Sequence, residues 1–159
     1  MQGISEIIVF TAGAGVCIPL GGYIARHTHV HQQWLAREFR HAVIAFGAGI
    51  LLGAVAMVLV PEALHHLGYA PWATLLLLGG GLLFYSLERY LDIHRHSAPQ
   101  FTGMLLDFIP ESLALGGLAA AGADSSLLLA VLIGLQNLPE GFNAYQELCD
   151  AKYPAKKYC

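Results

Sequence analysis

Two short stretches carry the residues whose types and spacing could do chemistry. In "LLDFIPES" (105–112), Asp107 and Glu111 are four apart; in "LQNLPEG" (135–141), Gln136 and Glu140 are four apart. Residues at that spacing share one face of a helix. Both stretches lie inside long apolar runs, where a charge at mid-membrane depth costs about 2.5–3.5 kcal/mol on insertion scales. Asp107 and Glu111 would also repel each other. Protons, a basic side chain or a cation must offset this cost. None of the predicted spans below has a Lys or Arg in its core, which leaves protons or a metal. Pro110 cannot donate to the carbonyl of Leu106, nor Pro139 to that of Leu135, so each is predicted to kink its helix and free a carbonyl. Carboxylates, an amide oxygen and carbonyls together suit a hard or borderline divalent cation. The competing reading is a pair of structural kinks, each with a protonated, hydrogen-bonded glutamate. Recurrence in two adjacent spans favours the cation, because ionisable groups inside membranes are functional by default.

The elements that must position these residues are predicted to be transmembrane helices. The chain has 159 residues, 56% hydrophobic and 12% charged, against roughly 25% charged in soluble domains. Its mean hydropathy is +0.57. A span needs about 20 mostly apolar residues, and five segments qualify: 4–25, 42–64, 70–91, 101–121 and 126–145. The expected fold is therefore an all-α integral membrane protein, one membrane domain over 1–159. The loops fall at 26–41, 65–69, 92–100 and 122–125. Spans four and five run antiparallel through "GADS". Glu111 falls about 15 Å from the inner end of its helix and Glu140 about 21 Å from the outer end of its own. Both depths lie in the middle of a core roughly 30 Å thick, so the two faces can meet. "GILLG" at 49–53, Gly79–Gly81, Gly116 and Gly117 predict close helix approach.

Charge sets an orientation. Arg26, Arg37 and Arg40 lie in the first loop, Arg89 and Arg95 flank the third, and Lys152, Lys156 and Lys157 lie in the tail. With five spans all eight fall on one side, which the positive-inside rule makes cytoplasmic, with the N-terminus outside. The N-terminus lacks the basic region of a cleaved signal peptide. Cys17 reads as apolar filler, and Cys149 and Cys159 as free thiols in a reducing compartment. A net charge of −3 with no basic block gives no sign of nucleic acid as a partner.

These motifs resemble those of the ZIP (Zrt-, Irt-like) family of divalent-metal transporters. "FGAGILLGAVAMVLVPEAL" (46–64) looks like the family's second helix with its P-E-A ending. "DFIPES" (107–112) is similar to the fourth-helix H-N-x-P-E-G, and "QNLPEG" (136–141) is close to the fifth-helix Q-[ND]-x-P-E-G of bacterial members. The resemblance implies that Asp107, Glu111, Gln136 and Glu140 form a transport site between helices four and five. It implies that Asn137 contributes to a neighbouring second site bridged by Glu111 and Glu140. Asp107 stands where the family has histidine, Phe108 where it has asparagine, and Ser112 where it has glycine. An all-oxygen set weakens the case for zinc against iron or manganese.

The implied cargo is a divalent cation (zinc, iron or manganese) with no organic cofactor, in a multi-pass protein of the cell (inner) membrane. The family has eight helices and this chain matches the first five. A homodimer or a complementing chain is therefore an expected partner, beside the lipid bilayer. A non-transporting membrane subunit or metal-binding protein is the alternative. An intramembrane enzyme is not expected, since H-E-x-x-H is absent and Ser112 has no histidine near it in sequence. His27, His29, His31, His94 and His96 form loop clusters that could accept metal leaving the pore. His65 and His66 could help capture it outside. Glu62 reads as interfacial or packed at Pro61, Glu88 and Asp92 as inner-interface charges, and Trp34 and Trp72 as interfacial anchors.

Overall fold

The computed structural model describes residues 4–28, 33–67, 71–94 and 99–152. His29, His31, Arg95, His96, Lys156, Lys157 and Cys159 lie outside the described residues. The described chain is all helical: α1 (Ile4–His27), α2 (Gln33–Ala54), a π-helical turn (Val55–Leu59), α3 (Val60–Leu67), α4 (Pro71–His94), α5 (Pro99–Ala121) and α6 (Ser125–Lys152). α2, the π turn and α3 form one rod, so the architecture is five rods.

Among the described residues, four rods are long and apolar enough to cross a membrane: Ile4–His27, Glu38–Leu67, Phe101–Ala121 and Ser125–Cys149. α4 falls outside this set. Pro71, Trp72, the triple glycine and Glu88 dilute a leucine-rich helix whose Leu75–Leu78, Leu82 and Leu83 are all exposed on the protein surface. The first loop is shorter than expected, because α2 begins at Gln33 and carries Arg37 and Arg40 on its first turns. The helix of span five runs on to Lys152.

Helix directions follow from the contacts. Cys17 Sγ lies beside Gly134, Ile18 beside Gly141, and Tyr145 beside Gly22, so α1 and α6 run parallel. Phe39 stacks edge-on to Phe142, Pro139 abuts Gly47 and Ser125 bonds Glu62, so the α2–α3 rod is antiparallel to α6. Glu111 pairs with Gln136, and the Phe101 N–H donates to Glu147, so α5 is also antiparallel to α6. The reversal between α5 and α6 is a Schellman cap. Gly122 has φ +71°, its N–H donates to Ala119 O, and the Ala123 N–H donates to Leu118 O. A left-handed residue at that position is where glycine carries no steric cost.

α6 is the centre of the bundle. A Cβ on Gly141 would sit 2.1 Å from Ile18 O, and one on Gly21 would sit 2.0 Å from Leu138 O. α1 and α6 therefore cross backbone to backbone, which only glycine permits. The core above this crossing comprises Ala14, Ala54, Val58, Leu115, Leu129 and Ile133. The glycines expected to pack closely mostly do not: Gly49, Gly53, Gly79–Gly81 and Gly117 have open space at the Cβ position. The π turn coincides with Pro61. That proline has no N–H for the Met57 carbonyl, and the widened turn closes instead through the Val60 N–H onto Val55 O.

One thiol expectation is corrected. Cys17 is a free cysteine, but Cys149 is disulfide-bonded.

Candidate functional site

α5 and α6 run as continuous helices across Pro110 and Pro139, and they join at the predicted residues. The Gln136 amide donates to Glu111 Oε1. Gln136 is fully buried and Glu111 half-buried. This hydrogen bond links α5 to α6. It also leaves Glu111 Oε2 and Gln136 Oε1 buried and without a hydrogen-bond partner among the described residues. Ser112 Oγ, Asn137 Oδ1 and Asn143 Oδ1 are in the same state. An orphaned buried acceptor costs about 1–3 kcal/mol. Several within three turns of two adjoining helices are the oxygen-rich surroundings that a hard or borderline cation would satisfy, so the donor set fits a divalent metal.

Two cavities run along the α2 side of this pair. One, about 380 Å³, is lined by Asp107, Glu111 and Pro110 with Phe84 of α4 and Val55 and Leu59 of the π turn. The other, about 370 Å³, is lined by Asp107, Glu140, Pro139, Asn143 and Glu88. Leu51 and Asp107 line both. Each volume exceeds the ~30 Å³ share of one water many times over, so a partly hydrated ion has room. Asp107, Glu111 and Glu140 thus line two neighbouring cavities that share Asp107. Gln136 stands behind Glu111 and holds it.

Asn137 goes elsewhere. One position along the helix from Gln136, it turns about 100° away, and its amide donates to Ala14 O of α1 at 2.9 Å. It ties α1 to α6 and lines neither cavity. Phe108 likewise has a packing role, its ring 3.2 Å from where a Gly15 Cβ would be.

The site has members that the sequence reading missed. Asn143 is i+3 from Glu140 and shares its face; that spacing was available as a signal. Glu88 is i+4 from Phe84, and both turn toward the cavities. The inner-interface reading of Glu88 overlooked this shared face. Glu88, Asp107 and Glu140 place three carboxyl groups on one cavity; when ionised they repel one another, which a bound cation would relieve. Of the loop histidines, His27 is engaged, its Nδ1 2.9 Å from Tyr23 O and its ring tilted against Tyr23. Trp72 is exposed at the start of α4.

No family model matches the chain, and neither a curated protein nor a solved structure matches it.

Proposed function

We propose that this protein is a divalent-cation permease, or the core of one, working as the ZIP family does. The cation is cargo held between α5 and α6; it is not a cofactor for catalysis. The observation that carries the reading is the set of buried oxygens without partners at the Glu111–Gln136 junction.

Helix direction supports five crossings. α3 ends beside Ser125, at the end of the bundle where α6 begins. α5 starts beside Glu147, where α6 is ending. The chain between them must return the whole length of the bundle. The 24 residues of α4 reach about 36 Å at 1.5 Å per residue, enough to span the hydrocarbon core. Arg26, Arg40, Arg89 and Lys152 then lie toward one end, which the positive-inside rule assigns to the cytoplasm of a cell-membrane protein.

In operation Asp107, Glu111 and Glu140 exchange protons for the cation, and their oxygens replace part of its water shell. Gln136 orients Glu111 through its N–H and offers its own oxygen. Asp107 lines both cavities and is the residue a moving ion passes. An all-oxygen set favours manganese or iron over zinc. The test is calorimetric binding of manganese, iron(II) and zinc to the purified protein, with uptake into proteoliposomes. Saturable binding with flux is the expected result. Binding without flux would leave a membrane metal-binding subunit. Neither binding nor flux would overturn the proposal.

A further inference from the structure

A second constellation lies at the α5–α6 turn end of the bundle. Glu62, His65 and His66 occupy positions i, i+3 and i+4 of α3, and each offers a ligand atom within 4.8 Å of the others. Glu62 Oε2 lies 3.8 Å from His66 Nε2, and the two imidazoles stand edge to face with centroids 5.5 Å apart. Small side-chain rotations bring three such donors onto one ion at the 2.0–2.2 Å bond lengths typical of zinc.

Two further observations separate this cluster from a chance meeting of surface side chains. Glu62 is pinned: Ser125 Oγ, from the first turn of α6, donates to its Oε1. That leaves Oε2 as the oxygen facing His66. An outer partner that fixes one carboxylate oxygen while the other faces the metal position is the usual support of a ligand. The cluster also borders the cavity of Asp107 and Glu111. Glu62 and His66 line a groove whose wall includes Leu59 and Ala114, and those two residues also line the cavity of Asp107 and Glu111.

We infer that Glu62, His65 and His66 form an entry-side cation site that takes a borderline divalent ion, iron(II) or zinc, and delivers it along the α3–α5 groove toward Asp107. Two imidazoles and a carboxylate suit zinc. Three protein ligands leave a coordination position for water, so the ion can leave. The delivery role rests on the proposed transport function; the binding does not.

The test uses the full chain in detergent micelles, with zinc counted by calorimetry and cobalt(II) as a spectroscopic stand-in. His65 and His66 are exposed, so H65A/H66A should keep its helicity by circular dichroism. The expected result is one equivalent of zinc lost in H65A/H66A, together with the visible cobalt band of a nitrogen-containing site. E111Q/E140Q should keep that equivalent and that band. Ser125→Ala should weaken this site about tenfold, within the range for an outer-sphere partner, with Ser125→Thr restoring it. Equal zinc equivalents in wild type and H65A/H66A would overturn the inference, as would loss of all binding in E111Q/E140Q. If H65A/H66A loses its zinc equivalent while manganese binding is unchanged in E111Q/E140Q, the entry site stands and the α5–α6 site falls.

Discussion

At the scale of residues, two glutamates and one aspartate carry the chemistry, and each predicts a separable result. Glu111 is the acceptor of the inter-helix bond and keeps a second oxygen unpartnered; Glu140 lines the adjoining cavity. On the proposed function Glu111→Gln and Glu140→Gln each remove a direct ligand. Each should weaken manganese binding at the α5–α6 site by more than the roughly 10–100-fold loss typical of an outer-sphere partner. Glu62→Gln should leave that same affinity unchanged. Wild-type affinity in the double variant would exclude both glutamates. Ligating carboxylates must be unprotonated, so binding should fall as pH drops from 7.5 to 5; a flat calorimetric profile would count against carboxylate ligation. Asp107→His puts an imidazole on the path and removes one of the repelling charges. Competition binding should show the zinc-to-manganese ratio rising about tenfold, or ~1.4 kcal/mol. An unchanged ratio would remove Asp107 from the ligands.

At the scale of elements, the crossing of α1 over α6 holds the site in shape. Gly141 follows Glu140 directly, and Ile18 O lies where its Cβ would be. Gly141→Ala and Gly21→Ala should force the two backbones apart, at a cost at or beyond the ~1–3 kcal/mol usual for overpacking. Thermal melts in detergent should show both far below wild type. Gly49→Ala meets open space and should match wild type or gain up to about 1 kcal/mol from helix propensity. Equal melting of all three variants would show that the crossing does not limit stability. The same contact explains why "PEG" ends in glycine on α6. On α5 the corresponding Ser112 meets no such crossing.

At the scale of the whole molecule, orientation is the consequence with opposing forces. On the proposed orientation the end of α6 faces the cytoplasm, where a disulfide at Cys149 would be reduced. Charge acts during insertion, before the C-terminal end can oxidise, so it should prevail. In intact cells, membrane-impermeant maleimide should label Trp72→Cys at the start of α4, whereas Cys149 should react only after permeabilisation. Labelling of Trp72→Cys only after permeabilisation, with Cys149 unreactive until a reductant is added, would invert the topology and put the disulfide in an oxidising compartment. On the proposed topology the exposed leucines of α4 face lipid in either orientation.

The class of the protein was legible in the sequence because it rests on local quantities. Long apolar runs must satisfy their backbone groups internally, so they become helices. Two acids four apart share a helix face whatever the rest of the chain does, and Asp107, Glu111, Gln136 and Glu140 were readable on that ground. The meeting of Glu111 and Gln136 followed from depth and a short turn. Tertiary structure decided what depends on helix rotation and neighbours. It turned Asn137 onto Ala14 and away from the cavities, and brought Asn143 and Glu88 toward Glu140. It bonded Ser125 to Glu62 across 63 residues. Of the many glycines, it selected Gly21 and Gly141 for backbone contact. Periodicity along one helix says which residues share a face; which face meets which helix is set by packing between segments far apart in the chain.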